Sequence, residues 1–173
     1  YDKATGYLGY EVKTGSSVCA VNQYDRVLVI RKSGIYSVID APDKLFVDKG
    51  MLFCSLADKE ELAKYVFTIL YKMKDSGAYY LKRCTIDQFI IKKTYQIVPD
   101  GAEIVGFTTR EDEEFVFRYK KKPRLKVLEE RFPINDYLVK SVKANGVRLT
   151  TKETTSVKRV RSRNKNGNNG KKK

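Results

Sequence analysis

The sequence predicts an all-β chain in which a small sheet unit recurs about three times. Its hydrophobic runs are short and rich in β-branched and aromatic residues. Most are joined by turns containing Gly or Pro, and the same order of features returns at intervals near 45 residues. One segment alone has a helical signature: Asp58 is followed by Glu61 three places on, the pattern of a capping box. The segment Asp58–Lys64 carries one large apolar residue, Leu62, so it can hold no more than a turn or two.

Taken in order, Arg26–Ile30 and Ile35–Ile39 are strand-like and flank Arg31-Lys32-Ser33-Gly34, which reads as a hairpin. Tyr65–Tyr71 and Ala78–Arg83 flank Lys72–Gly77 in the same way. Phe115–Tyr119 and Arg124–Leu128 flank Lys120-Lys121-Lys122-Pro123. After each hairpin comes a Gly and a further strand: Gly50 with Met51–Phe53, Gly101 with Ala102–Phe107, and Gly146 with Val147–Leu149. Gly6–Lys13 is similar to Gly146–Lys152, and Ser17–Val21 to Ser156–Val160. These likenesses predict a repeat split between the two ends, which would pair and remove free edges. Residues 1–156 are expected to form the folded domain. Residues 157–173 read as a last strand running into a basic arm.

Composition excludes several chemistries. No His is present, so imidazole bases, Ser-His triads and His-ligated metals are ruled out. Cys19, Cys54 and Cys84 are odd in number and far apart, which argues against a disulfide framework or a zinc site and predicts small core residues in a reducing, cytosolic setting. Glu111–Glu114 reads as a solvated loop, because adjacent carboxylates on an extended chain point to opposite faces. Tyr36, Tyr65, Tyr79 and Tyr80 read as packing residues of strands. The absence of a long apolar run excludes a membrane helix, and the absence of an initiator Met suggests a piece of a longer protein.

The charge is the strongest functional signal. Lys and Arg number 35 against 21 Asp and Glu, a formal net charge of +14. This favours a polyanion partner. Cations cluster at the expected turns and rims: Arg31, Lys32, Lys72, Lys74, Lys82, Arg83, Lys120, Lys121, Lys122 and Arg124, with Lys158, Arg159, Arg161 and Arg163 near the end. The triplet Lys120–Lys122 is the strongest candidate, since three adjacent charges at a turn are costly without a counterion.

The repeated units beginning at Asp25, Lys64 and Glu113, the segment Gly146–Leu149 and the opening Ala4–Gly9 together resemble the C-terminal domain of bacterial type IIA topoisomerase A subunits, the gyrase A and topoisomerase IV A family. The resemblance covers most of residues 1–160. It implies a β-pinwheel of about three to four four-stranded blades, smaller than the six-bladed gyrase domain. No Gln-Arg-Arg-Gly-Gly segment of the gyrase wrapping box is present, which points to the topoisomerase IV-like branch of the family. The resemblance further implies a non-catalytic, cytoplasmic, nucleoid-associated module. It would bind and bend double-stranded DNA. It would present that duplex to the catalytic core of the parent enzyme, with the catalytic N-terminal region of the same A subunit and the ATPase B subunit as its partners. ATP and Mg2+ would act through those other parts, with no cofactor and no membrane contact here. Two alternatives come from other classes: a single-strand or RNA-binding β-barrel with aromatic platforms, and a protein-interaction propeller whose charge serves solubility.

Overall fold

In the computed structural model, which describes residues 1–162, the extended elements fall where β-branched and aromatic side chains concentrate. They are β1 (Tyr7–Leu8), β2 (Arg26–Arg31), β3 (Ile35–Asp40), β4 (Leu45–Phe46), β5 (Met51–Leu56), β6 (Phe67–Met73) and β7 (Tyr79–Thr85). There follow β8 (Thr94–Gln96), β9 (Ala102–Thr108), β10 (Glu113–Tyr119), β11 (Glu129–Pro133), β12 (Val139–Ser141), β13 (Val147–Thr150) and β14 (Thr154–Arg161). The expected helix is α1 (Lys59–Leu62), a single turn capped by Asp58, whose Oδ1 accepts the Glu61 N–H at 2.8 Å. Leu62, 2% exposed, anchors it.

The chain divides into two units. The first comprises residues 1–110 and 137–152; the second comprises residues 111–136 and the chain from 153 onward. The first unit holds two larger sheets, ordered β5-β2-β3-β8 and β12-β7-β6-β9, together with the two-stranded ribbon β1-β4. The second holds the sheet β11-β10-β14. Each sheet is therefore seeded by one of the three expected hairpins, with a further strand on the outer side of the first hairpin strand. The all-β, multi-sheet expectation holds, and no sheet closes into a barrel among the described residues.

The first unit's core is a set of side chains pointing inward from the two larger sheets. Leu28, Ile30, Phe67, Ile69, Cys84 and Ile97 are each fully buried. Each of the Leu, Ile and Phe side chains contributes about 1.5–3 kcal/mol of burial. Phe53 lies edge-on to both Tyr65 and Phe67, at 4.9 and 5.1 Å between ring centres. Tyr36 stacks on Tyr95, and Tyr71 on Tyr80. The strand tyrosines thus pack as expected, as does Cys84, while Cys19 and Cys54 are half-buried.

Three expectations are corrected. The third hairpin returns at Glu129–Pro133, not at Arg124–Leu128, after a long loop closed by the Tyr119 N–H to the Leu128 carbonyl at 2.9 Å. The first two hairpins turn through Gly34 and Gly77, both at positive φ (88° and 66°), whereas the third has no Gly and cannot turn so tightly. Secondly, the strand after Gly146 does not flank β10. It pairs antiparallel with β7, and the outer strand of the third sheet is β14. Thirdly, the ends do not pair as a split repeat: β1 joins β4, β14 joins β10, and residues 17–21 form no strand. β14 begins at Thr154, so the boundary expected after residue 156 falls within a strand.

A repeated bulge accompanies the outer strands. Leu52 in β5, Val105 in β9 and Thr155 in β14 are each an extra residue without a partner on β2, β6 and β10. Bulges bend and twist a strand, which makes an edge a poor template for accidental pairing.

The two hairpin glycines offer a paired test. A Cβ at Gly77 would meet nothing nearer than 4.0 Å, so Gly77→Ala is expected to cost about 1 kcal/mol for the left-handed backbone alone. A Cβ at Gly34 would lie 2.6 Å from Val98 Cγ2, so Gly34→Ala should cost about 2–3 kcal/mol, read by urea unfolding. Burial pushes the Cys84 thiol up to about 11 and the Tyr36 phenol up to about 12. Both favour the neutral, folded form, so their stabilisation is complete below pH 9 and is lost as pH rises from there towards 12; urea midpoints between pH 8 and 11 should fall.

Candidate nucleic-acid interface

The cations expected to contact phosphate fall into different environments. Lys82 and Arg83, 5% and 6% exposed, lie inside the first unit. Lys82 Nζ donates to the carbonyls of Ile97 and Val142 at 2.7 and 2.5 Å, and burial lowers its pKa. Arg83 Nη1 donates to the Tyr137 carbonyl at 2.9 Å. Both are corrected from surface contacts to internal fasteners, because β7 is a central strand whose two faces are covered. Arg31 is half-buried and donates from Nε to the Val47 carbonyl at 2.7 Å. Lys72 is half-buried, with Nζ 5.3 Å from the centre of the Tyr79 ring. Lys32 and Lys74 are exposed.

In the second unit, Lys120, Lys121, Lys122 and Arg124 are all exposed on the loop between β10 and β11. The triplet does have a counterion, and it is internal. Glu153 accepts from Lys120 at 2.9 Å and from Lys122 at 3.2 Å, and the two ammonium groups hold its carboxyl below its ordinary range. Lys121, Arg124 and Lys126 on the same loop make no carboxylate pair among the described residues. On β14, Arg159 faces Glu113 at 3.5 Å and Arg161 faces Asp112 at 4.0 Å, while Lys158 is exposed with no ion pair among the described residues. Arg163 lies outside the described residues. Glu113 and Glu114 are not a solvated loop: they lie in β10, 8% and 5% exposed, and Glu114 receives Arg131 at 2.6 Å. Strand pairing puts each carboxylate opposite or beside a cation, which is what allows it to be buried.

A further basic edge was not among the expected residues. The stretch 137–152 carries four Lys and Arg and no Asp or Glu. It forms β12, which runs parallel to β7, and β13, which runs antiparallel along the same edge of β7. Lys140 lies opposite Cys84 and Arg148 opposite Tyr80, so register puts both on one face of the sheet, with Lys143 in the turn between them. All three are exposed and without an ion pair among the described residues. The sequence signal for this edge is a run of cations without a single carboxylate, and it lies outside the hairpin turns where phosphate contacts were expected.

The described residues thus define a class: an all-β module of open sheets bearing unpaired cations, with no cluster of three or more metal-binding side chains among them. The family Topoisomerase C-terminal domain, Bacteroidota, matches residues 1–161, and the chain belongs to it. The chain is 30% identical over 155 residues to the A subunit of DNA topoisomerase 4 from Borreliella burgdorferi, covering 90% of this chain and 24% of that protein. It therefore spans about a quarter of that relative's length. The crystal structure of the C-terminal domain of DNA topoisomerase IV superposes with a TM-score of 0.46 at 10% identity, over 90% of this chain and 60% of that one.

The buried lysine is tested through stability. Lys82→Ala leaves two inward carbonyls without their donor and should destabilise the chain by about 1–3 kcal/mol in urea titrations.

Proposed function

We propose that this chain is a non-catalytic DNA-binding and DNA-bending domain of a topoisomerase IV-like A subunit. It captures a duplex through phosphate contacts and presents it as the transported segment to the catalytic region of the same polypeptide, which works with an ATPase B subunit using ATP and Mg2+. One observation carries the DNA-binding reading: within a chain of this family, the edge formed by β12 and β13 displays Lys140, Lys143 and Arg148 with no carboxylate in the stretch 137–152. Lys121, Arg124, Lys126 and Lys158 supply unpaired cations in the second unit, and Lys72 and Lys74 add to those of the first.

The physics is capture without chemistry. Each phosphate contact releases condensed counterions, and such contacts position the duplex with little regard to sequence. Bending a site of 20–30 base pairs costs roughly 1–6 kcal/mol, so several contacts must act together. A single-strand barrel is disfavoured by two features. The sheets are open, and in the three larger sheets the strand aromatics Tyr36, Tyr71, Phe67 and Phe117 are buried rather than presented as platforms.

Titration of linear duplex DNA at several salt concentrations tests the reading. The log–log slope should be about −3 or steeper, and Lys140→Glu/Lys143→Glu/Arg148→Glu should weaken binding about tenfold or more and flatten that slope. A slope near zero, or an unaffected triple variant, would refute it.

A further inference from the structure

A groove of about 410 Å³ in the first unit runs beside the outer strands β5 and β9, away from the β12–β13 edge in sequence and in sheet order. Its floor includes the two bulged residues, Leu52 and Val105, with Phe107. Val105 is 41% exposed. Lys3, Lys32 and Lys49 also line the groove; all three are exposed and without an ion pair among the described residues, and no carboxylate lines it. β5 and β9 each end their sheet, and neither has a strand partner on its outer side among the described residues.

We infer that this groove docks an extended acidic peptide segment whose side chains alternate between carboxylate and aliphatic. An extended peptide satisfies both features at once. Its aliphatic residues can cover Leu52, Val105 and Phe107, and its carboxylates can meet the three lysines. A phosphodiester backbone has charge but no apolar face, so it would leave the apolar floor wet. The groove therefore serves a second class of partner, beside the duplex assigned to the cationic edges.

Fluorescence anisotropy on the full 173-residue chain tests this with a labelled glutamate–valine alternating peptide about eight residues long, alongside its lysine–valine counterpart and a labelled duplex. The acidic peptide should bind saturably and the lysine–valine peptide should not. Lys3→Gln/Lys49→Gln and, separately, Val105→Asp should each weaken the acidic peptide about fivefold or more while leaving duplex affinity within about twofold. No saturable binding of the acidic peptide, or equal binding of the lysine–valine peptide, would overturn the inference. Loss of duplex affinity in the groove variants would instead hand the groove to phosphate. None of these outcomes bears on the Lys140/Lys143/Arg148 variant, so the two readings fail separately.

Discussion

The first unit depends on how residues 137–152 are fastened to β7 when the chain returns from the first segment of the second unit, residues 111–136. A buried ammonium and a buried guanidinium do much of this. Lys82 ties the Val142 carbonyl to the Ile97 carbonyl, and Arg83 holds the Tyr137 carbonyl. The Tyr71 hydroxyl accepts the Gly146 N–H at 3.1 Å, and Gly146 sits so close to Tyr71 and the Leu81 carbonyl that a Cβ would be 3.0 Å from both. Burying a cation is costly, and the cost is offset only if its protons find acceptors. Here the acceptors are carbonyls that strand ladders leave unused, so satisfying the cation and locking the returning segment are the same event. The exposed cations of β12 and β13 inherit their fixed placement from these two internal ones.

Charge in this chain is therefore divided by environment rather than by residue type. Some cations are internal braces, some are matched to carboxylates on neighbouring strands, and a remainder faces solvent unopposed. Arg118, Arg131 and Glu129 form a chain of contacts on one face of the third sheet, with Arg118 at 3.2 Å and Arg131 at 3.1 Å from Glu129. Such exposed pairs add little stability. They do remove those cations from the set available to a polyanion, as Glu153 does for Lys120 and Lys122. A count of Lys and Arg overstates the positive surface that a duplex would meet.

The bulges give the sheets a second property. Placing an extra residue in each outer strand twists the edge and turns one side chain out of the ladder. In β14 that residue is Thr155, whose hydroxyl donates to the Arg118 carbonyl at 3.0 Å and closes the irregularity on itself. In β5 and β9 the residues are Leu52 and Val105, which have no such bond to make and line a groove instead. The same backbone device is thus sealed in one sheet and left open in two others.

Much of the architecture was legible along the chain. The strands around Gly34 and Gly77, the capped turn at Asp58 and the recurrence of sheet units follow from local rules: β-branched runs, left-handed glycines and an N-cap. Family resemblance rested on the order of these same features. What only the tertiary structure decided was the partner of each strand and the fate of each charge. Nothing local says which segment will cover the strand position of Lys82, or separates the partner of Val147–Thr150 from that of Thr154–Arg161, because the difference lies in which distant segment comes to rest alongside. Strand pairing is a long-range choice, and the solvation of a side chain is set by neighbours far away in sequence; a pattern read a few residues at a time carries neither.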